Sequence, residues 1–151
     1  SFQQGRSVFE SAGCSKCHGM GEGTAGPGPE LTKVSERFRG RRLLQQILEP
    51  SAEIHQQYQT WVAVLADGRA LSGLKVEETP DAVTLLPNPL KPMERVVLPR
   101  AEIEELEASK TSTMPQGLLI TYTREEILDL TAYVQSGGKL ESPEFQGGSR
   151  K

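Results

Sequence analysis

With only two cysteines in 151 residues, the chain has neither a disulfide framework nor a four-cysteine metal site. Aromatic residues make up only 5% and there is a single tryptophan, which is thin for the core of a domain this long. No run approaches the roughly 20 consecutive apolar residues that a helix needs to cross a bilayer, so no membrane span is expected. The formal charge is −3, which gives no support to bulk nucleic-acid binding. No Ser-His-Asp set or paired carboxylates point to a hydrolase. The apolar content of 36% and charged content of 25% suit one domain, or one domain carrying an insertion.

The two cysteines and one of the two histidines fall together in Cys14-Ser15-Lys16-Cys17-His18. Cys-x-x-Cys-His is the attachment signature of a c-type haem. On a helix, positions i, i+3 and i+4 share a face, so Cys14, Cys17 and His18 point the same way. Two thiols can then join one porphyrin while the imidazole of His18 meets its iron. One covalent haem c is therefore the expected cofactor, and its apolar faces would compensate for the scarcity of aromatic side chains. The competing reading is a thioredoxin-like dithiol, which expects a strand just before the first cysteine. Phe2, Val8, Phe9 and Ala12 show helical spacing there instead.

Four zones follow along the chain. Residues 1–57 carry the motif, a glycine-rich loop from Gly19 to Gly28, and a helical stripe of Leu43, Leu44, Ile47 and Leu48 that Pro50 ends. Residues 58–100 read as a small antiparallel β unit. Strands are expected at Thr60–Leu65, Leu71–Val76, Ala82–Leu86 and Arg95–Leu98, with Asp67-Gly68 as a hairpin turn. The loop Pro87-Asn88-Pro89-Leu90-Lys91-Pro92 cannot sit in a ladder. Residues 101–143 are expected to return to helix. Ala101–Ala108 reads as a short acidic helix with Ile103 and Leu106 inward, followed by a polar loop with Met114-Pro115. Thr123-Arg124-Glu125-Glu126 is a capping box opening a helix with Ile127, Leu130, Thr131 and Val134 on one face, closed by Gly137-Gly138. Residues 144–151 read as a disordered tail.

Gly5, Phe9, the Cys14–His18 motif, Gly28-Pro29-x-Leu31 and Leu130-x-x-Tyr133-Val134 together resemble the class I monohaem cytochromes c. The resemblance implies that the first and last helices cross, with Gly5 and Phe9 against Leu130 and Tyr133. A narrower resemblance covers nearly the whole chain, through Pro50-Ser51-Ala52-Glu53-Ile54, Asp67-Gly68-Arg69, Leu71-Ser72-Gly73, Ile103-Glu104-Glu105-Leu106, Met114-Pro115-x-Gly117-Leu118 and Asp129-Leu130-x-Ala132-Tyr133. In this order they look like the C-terminal haem-binding domain of planctomycete-type dehydrogenase-like proteins. The implied fold class is a mainly α cytochrome c fold with an inserted small antiparallel sheet, α+β overall.

The candidates for a second axial ligand are Met20, Met93, Met114 and His55. Met20 is too close to His18 in sequence to reach the opposite face. The resemblance places Met114 where class I cytochromes present their thioether, and it gives the Pro29 carbonyl the role of orienting the second nitrogen of His18. The expected function is one-electron transfer with His18/Met114 ligation, by a carrier and not an enzyme. A gas-binding or sensing protein with an open sixth position is the alternative, and a β unit that acts as an interaction module is another. Arg37, Arg39, Arg41 and Arg42 form a basic cluster that is a solvated face, a propionate partner or a docking patch. Trp61 reads as a core residue or a propionate donor. A redox partner protein, or a dehydrogenase domain of the same parent chain, is the implied partner, and exposed β edges leave a homodimer open. The chain starts Ser1-Phe2-Gln3-Gln4 without a signal peptide. Covalent haem attachment takes place outside the cytoplasm, so a periplasmic or other extracytoplasmic mature form, or a piece of a longer protein, is expected.

Overall fold

The computed structural model describes residues 1–21 and 26–146. They divide into two compact units, one built from residues 1–50 and 116 onward, the other from Ser51–Pro115.

The first unit is helical: α1 spans Phe2–Ser11, α2 Gly40–Leu48 and α3 Arg124–Gln135. In α1 the buried residues Gly5, Val8 and Phe9 follow the i, i+3, i+4 spacing of one helix face. α3 starts on a complete capping box: the Glu126 amide donates to Thr123 Oγ1 at 3.2 Å and the Thr123 amide to Glu126 Oε2 at 2.7 Å. The two helices cross at Gly5, where a Cβ would lie 2.3 Å from the Asp129 carbonyl oxygen and 2.8 Å from Tyr133 Cβ. Only a residue without a side chain admits that approach. Phe2 and Phe9 then pack on Tyr133 with ring centroids 5.3 and 5.5 Å away. The core consists of Val8, Phe9, Leu43, Leu119, Leu130, Tyr133 and Val134. Side chains of this kind contribute about 1.5–3 kcal/mol each when fully buried. Gly137 and Gly138, at φ 68° and 74°, close α3 with amides donating to the Val134 and Tyr133 carbonyls.

Two expectations change here. Leu48 leaves the apolar stripe of α2 and is 45% exposed, because the helix unwinds at Glu49. The start of the expected tail is ordered: Pro143–Phe145 forms a 3-10 turn, and the Phe145 ring stands edge-on to Phe2 at 5.2 Å. Residues 147–151 of that expected tail lie outside the described residues.

The second unit is a five-stranded antiparallel sheet. Its strands are β1 Thr60–Leu65, β2 Ala70–Glu78, β3 Ala82–Leu86, β4 Val96–Pro99 and β5 Ile103–Ala108, in the order β4-β3-β2-β1-β5. Gly68 at φ 89° completes the β1–β2 turn, and Asp67 Oδ1 accepts from the Arg69 amide at 3.0 Å. One face holds Ala63, Leu65, Val83, Leu85 and Leu98, flanked by Trp61, Leu71, Val96, Ile103 and Leu106. All of these belong to the sheet itself. Ala63, Val83 and Leu85, at 0% exposure, are the centre of that apolar face.

The acidic helix expected at Ala101–Ala108 is instead a 3-10 turn at Arg100–Glu102 followed by strand β5. The cause is a β-bulge. Val64 faces Glu105 and Leu65 faces Ile103, which leaves Glu104 as an extra residue. The bulge puts Ile103 and Leu106, three apart, on the same face of the sheet. That spacing imitates a helical period. The β unit accordingly runs over residues 51–115, not 58–100, and the second stretch of the helical unit begins at Gln116, not at residue 101. α-Helix and strand occupy similar lengths among the described residues, the helices in one unit and the sheet in the other, an α+β composition.

Candidate functional site

α1 stops at Ser11, and Gly13, at φ 84°, redirects the backbone into a tight turn at Cys14–Lys16. The Cys17 and His18 amides both donate to the Cys14 carbonyl, at 3.1 and 2.9 Å. One turn of backbone thus gathers Cys14, Cys17 and His18: the Cys17 bond is of 3-10 type and the His18 bond of α type, and no longer helix is needed. Both cysteines are free thiols, half-buried. Burial pushes the Cys14 thiol up to about 11 and raises Cys17 as well, against the pull of the Lys16 charge. Both are therefore protonated at neutral pH. A thioredoxin-like dithiol needs the opposite, a thiol shifted down into the reactive range. It also needs a preceding strand, and α1 occupies that place.

His18 Nδ1 lies 2.7 Å from the Pro29 carbonyl oxygen. A carbonyl only accepts, so Nδ1 carries the proton and Nε2 keeps its lone pair. Burial holds the His18 ring below its ordinary pKa, and the bond to Pro29 partly offsets this. The imidazole is thus neutral, with one nitrogen engaged and one available to a metal. Gly28 presses on the same ring: a Cβ there would sit 2.9 Å from His18 Cε1 and 3.1 Å from Nδ1. The Gly28 amide donates to the Cys17 carbonyl at 2.8 Å, which ties this stretch to the cysteine turn. Gly26 is closer still to Cys17: a Cβ there would lie 2.3 Å from its carbonyl oxygen. Part of the glycine-rich loop expected between Gly19 and Gly28, residues 22–25, lies outside the described residues.

The other candidates separate clearly. Met114 sits half-buried in a bend near the end of the sheet unit, its amide donating to Ser112 Oγ at 3.1 Å. Met20 packs into the helical core, against Gly138. Met93 is 92% exposed. His55 caps a 3-10 turn, its Nδ1 accepting from the Gln57 amide at 3.1 Å. Trp61 packs on the sheet core, with Lys75 Nζ 4.1 Å from its ring centroid. The arginine cluster is exposed and self-organised: Arg37 and Arg42 stand over the Phe38 ring, and Arg39 lies 3.7 Å from Glu144.

Among the described residues, no cluster of three or more His, Cys, Asp or Glu could hold a bare metal ion. No helix among the described residues is long and apolar enough to cross a membrane. What the turn presents is two thiols and a neutral imidazole. Gly28, lacking a side chain, fits beside that ring, and a carbonyl fixes its tautomer. This is the donor set that a covalently held porphyrin uses, and the residues present fit that group. The sequence profile of the family described as Cytochrome c matches residues 2–88, more than half of the chain. The chain belongs to the cytochrome c family and is a haem-binding c-type cytochrome. Comparison with curated proteins returns no match.

Sequence reasoning overlooked Glu30. Its Oε1 accepts from the Gly21 amide at 3.0 Å, from the Thr32 amide at 2.9 Å and from the Thr32 hydroxyl. The signal was a carboxylate just after Gly28-Pro29 and two residues before a threonine, the local pattern of a side chain that closes a turn.

Proposed function

We propose that the protein is a one-electron carrier in which Cys14 and Cys17 anchor one haem c, His18 binds the iron through Nε2, and Met114 supplies the second axial ligand. The helical unit is then a class I-like cytochrome c fold, interrupted by the sheet of residues 51–115. The observation that carries this reading is the 2.7 Å contact between His18 Nδ1 and the Pro29 carbonyl, inside a turn that also gathers both thiols. When bound, the haem would supply a ferric/ferrous couple in a site of low polarity.

The chain's own residues do the rest. The Pro29 carbonyl orients His18 and raises its basicity, the thiols fix the cofactor, and a soft thioether favours ferrous iron. An extracytoplasmic location accords with covalent haem attachment. The electron partner is a separate redox protein or a dehydrogenase domain of a longer parent chain.

Optical spectra of the oxidised and reduced protein test the reading. A low-spin haem c with the weak near-infrared sulfur-to-iron band is expected. Met114→Ala should lower the midpoint potential and turn ferric iron high spin. An unchanged spectrum and potential would remove Met114 from the site. Fast, complete carbon monoxide binding by the unaltered ferrous protein would point to a gas binder instead.

A further inference from the structure

We propose that Glu30 is a positioning residue for His18: its carboxylate latches the neck of the loop that carries Pro29 and so holds the Pro29 carbonyl on the imidazole. The proposal rests on the reading of His18 as the iron ligand.

The segments 17–21 and 28–32 run side by side. The Gly28 amide donates to the Cys17 carbonyl at 2.8 Å and the Leu31 amide to the Gly19 carbonyl at 2.9 Å. Glu30 adds the third and outermost tie. Its Oε1 takes the Gly21 amide from one segment and two donors of Thr32 from the other. Thr32 is itself braced, because its carbonyl lies where a Cβ on Gly137 would come within 2.4 Å. Gly137, with its φ of 68°, admits that contact at the end of α3. One carboxylate oxygen therefore links the residues just after the haem-attachment turn to a segment wedged against a helix end. Pro29, adjacent to Glu30, is carried in that frame.

Glu30 is an exposed side chain, and a single exposed hydrogen bond adds little to stability. Three donors on one oxygen serve geometry better than stability. A carbonyl that drifts from His18 Nδ1 weakens the hydrogen bond, lowers the basicity of the imidazole and favours ferrous iron.

The test uses the full, haem-loaded chain and the variants Glu30→Ala, Glu30→Gln and Thr32→Val. Covalent haem is checked first by stain on a denaturing gel. The exchange rate of the His18 Nδ1 proton is read by NMR in the ferrous protein, and the midpoint potential by spectroelectrochemistry. Glu30→Ala should exchange about tenfold faster, the equivalent of about 1.4 kcal/mol, with a more positive potential. Glu30→Gln keeps an accepting oxygen and should restore both readouts. Thr32→Val should move both in the same direction by less.

A haem-loaded Glu30→Ala that matches the unaltered protein in exchange and potential overturns the latch. So does a Glu30→Gln as disturbed as Glu30→Ala. If Glu30→Ala does not fold, an unmoved Thr32→Val overturns it. An unaltered protein without covalent haem removes the attachment reading beneath it, a result the gel separates from the others.

Discussion

At His18 and Glu30, small polar contacts decide what a short loop does. The bond between His18 Nδ1 and the Pro29 carbonyl was legible only through the resemblance to the class I cytochromes c that Gly28-Pro29-x-Leu31 carries, not from the chemistry of the residues alone. The role of Glu30 was legible only in part: its closure onto Thr32 has a local pattern, but the tie to Gly21, nine residues away, has none. Its donors come from backbone amides of Gly21 and Thr32, and no residue type announces where an amide will point. Hydrogen bonds from Thr32 first, then from Gly21, hold the Glu30 carboxyl below its ordinary value, with the Lys33 charge helping. A carboxylate whose pKa is depressed in the folded state stabilises that state above its unfolded pKa and loses the effect as pH falls through the folded value. Urea unfolding of the unaltered protein should therefore weaken in acid, below the usual glutamate range. Glu30→Gln should remove this part of the acid dependence. Identical profiles for the two proteins would show that the Glu30 bonds are absent in solution.

Among the elements, α1 and α3 followed their patterns because each announces itself twice. α3 has a capping box and an apolar face, and α1 has a glycine and an aromatic residue at the crossing. β1 and β3 occupy the residues expected of them, bounded by turn chemistry at Gly68 and in the proline-rich loop. β5 did not. Its apolar residues fall three apart because of the bulge at Glu104, and glutamate is a poor strand former that suits an exposed helix. Tertiary pairing with β1 overrides that propensity. The strand makes a mutational forecast that a helix would not. Leu106→Ala removes a side chain opposite Ala63 on the apolar face and should cost about 2 kcal/mol in chemical denaturation. Glu107→Thr, exposed and opposite Val62, should be neutral or slightly stabilising, through better strand propensity. Destabilisation of more than about 1 kcal/mol by Glu107→Thr would favour the helix.

At the scale of the molecule, the described residues form two apolar cores from different residues, one in the helical unit and one drawn from the strands of the sheet. The helical core is the one that contains the haem-attachment turn, since Cys14 and Met20 pack against it. Loss of the cofactor should therefore act unevenly. In Cys14→Ala with Cys17→Ala, the far-ultraviolet helix signal should fall and melt early, while the sheet melts in a separate, later transition. A single shared transition in that variant would show that the sheet depends on the haem-bearing core. The sheet unit has a further property, visible at its two ends. The Ser112 amide donates to Ser51 Oγ at 2.9 Å, so the chain departs into the sheet and returns from it at one spot. A segment whose two termini touch can be gained or deleted in a single genetic event without stretching what flanks it. Joining Ser51 to Ser112 through a short linker would then remove the sheet yet keep Met114 in the chain, and comparing the two forms would show what the sheet is for.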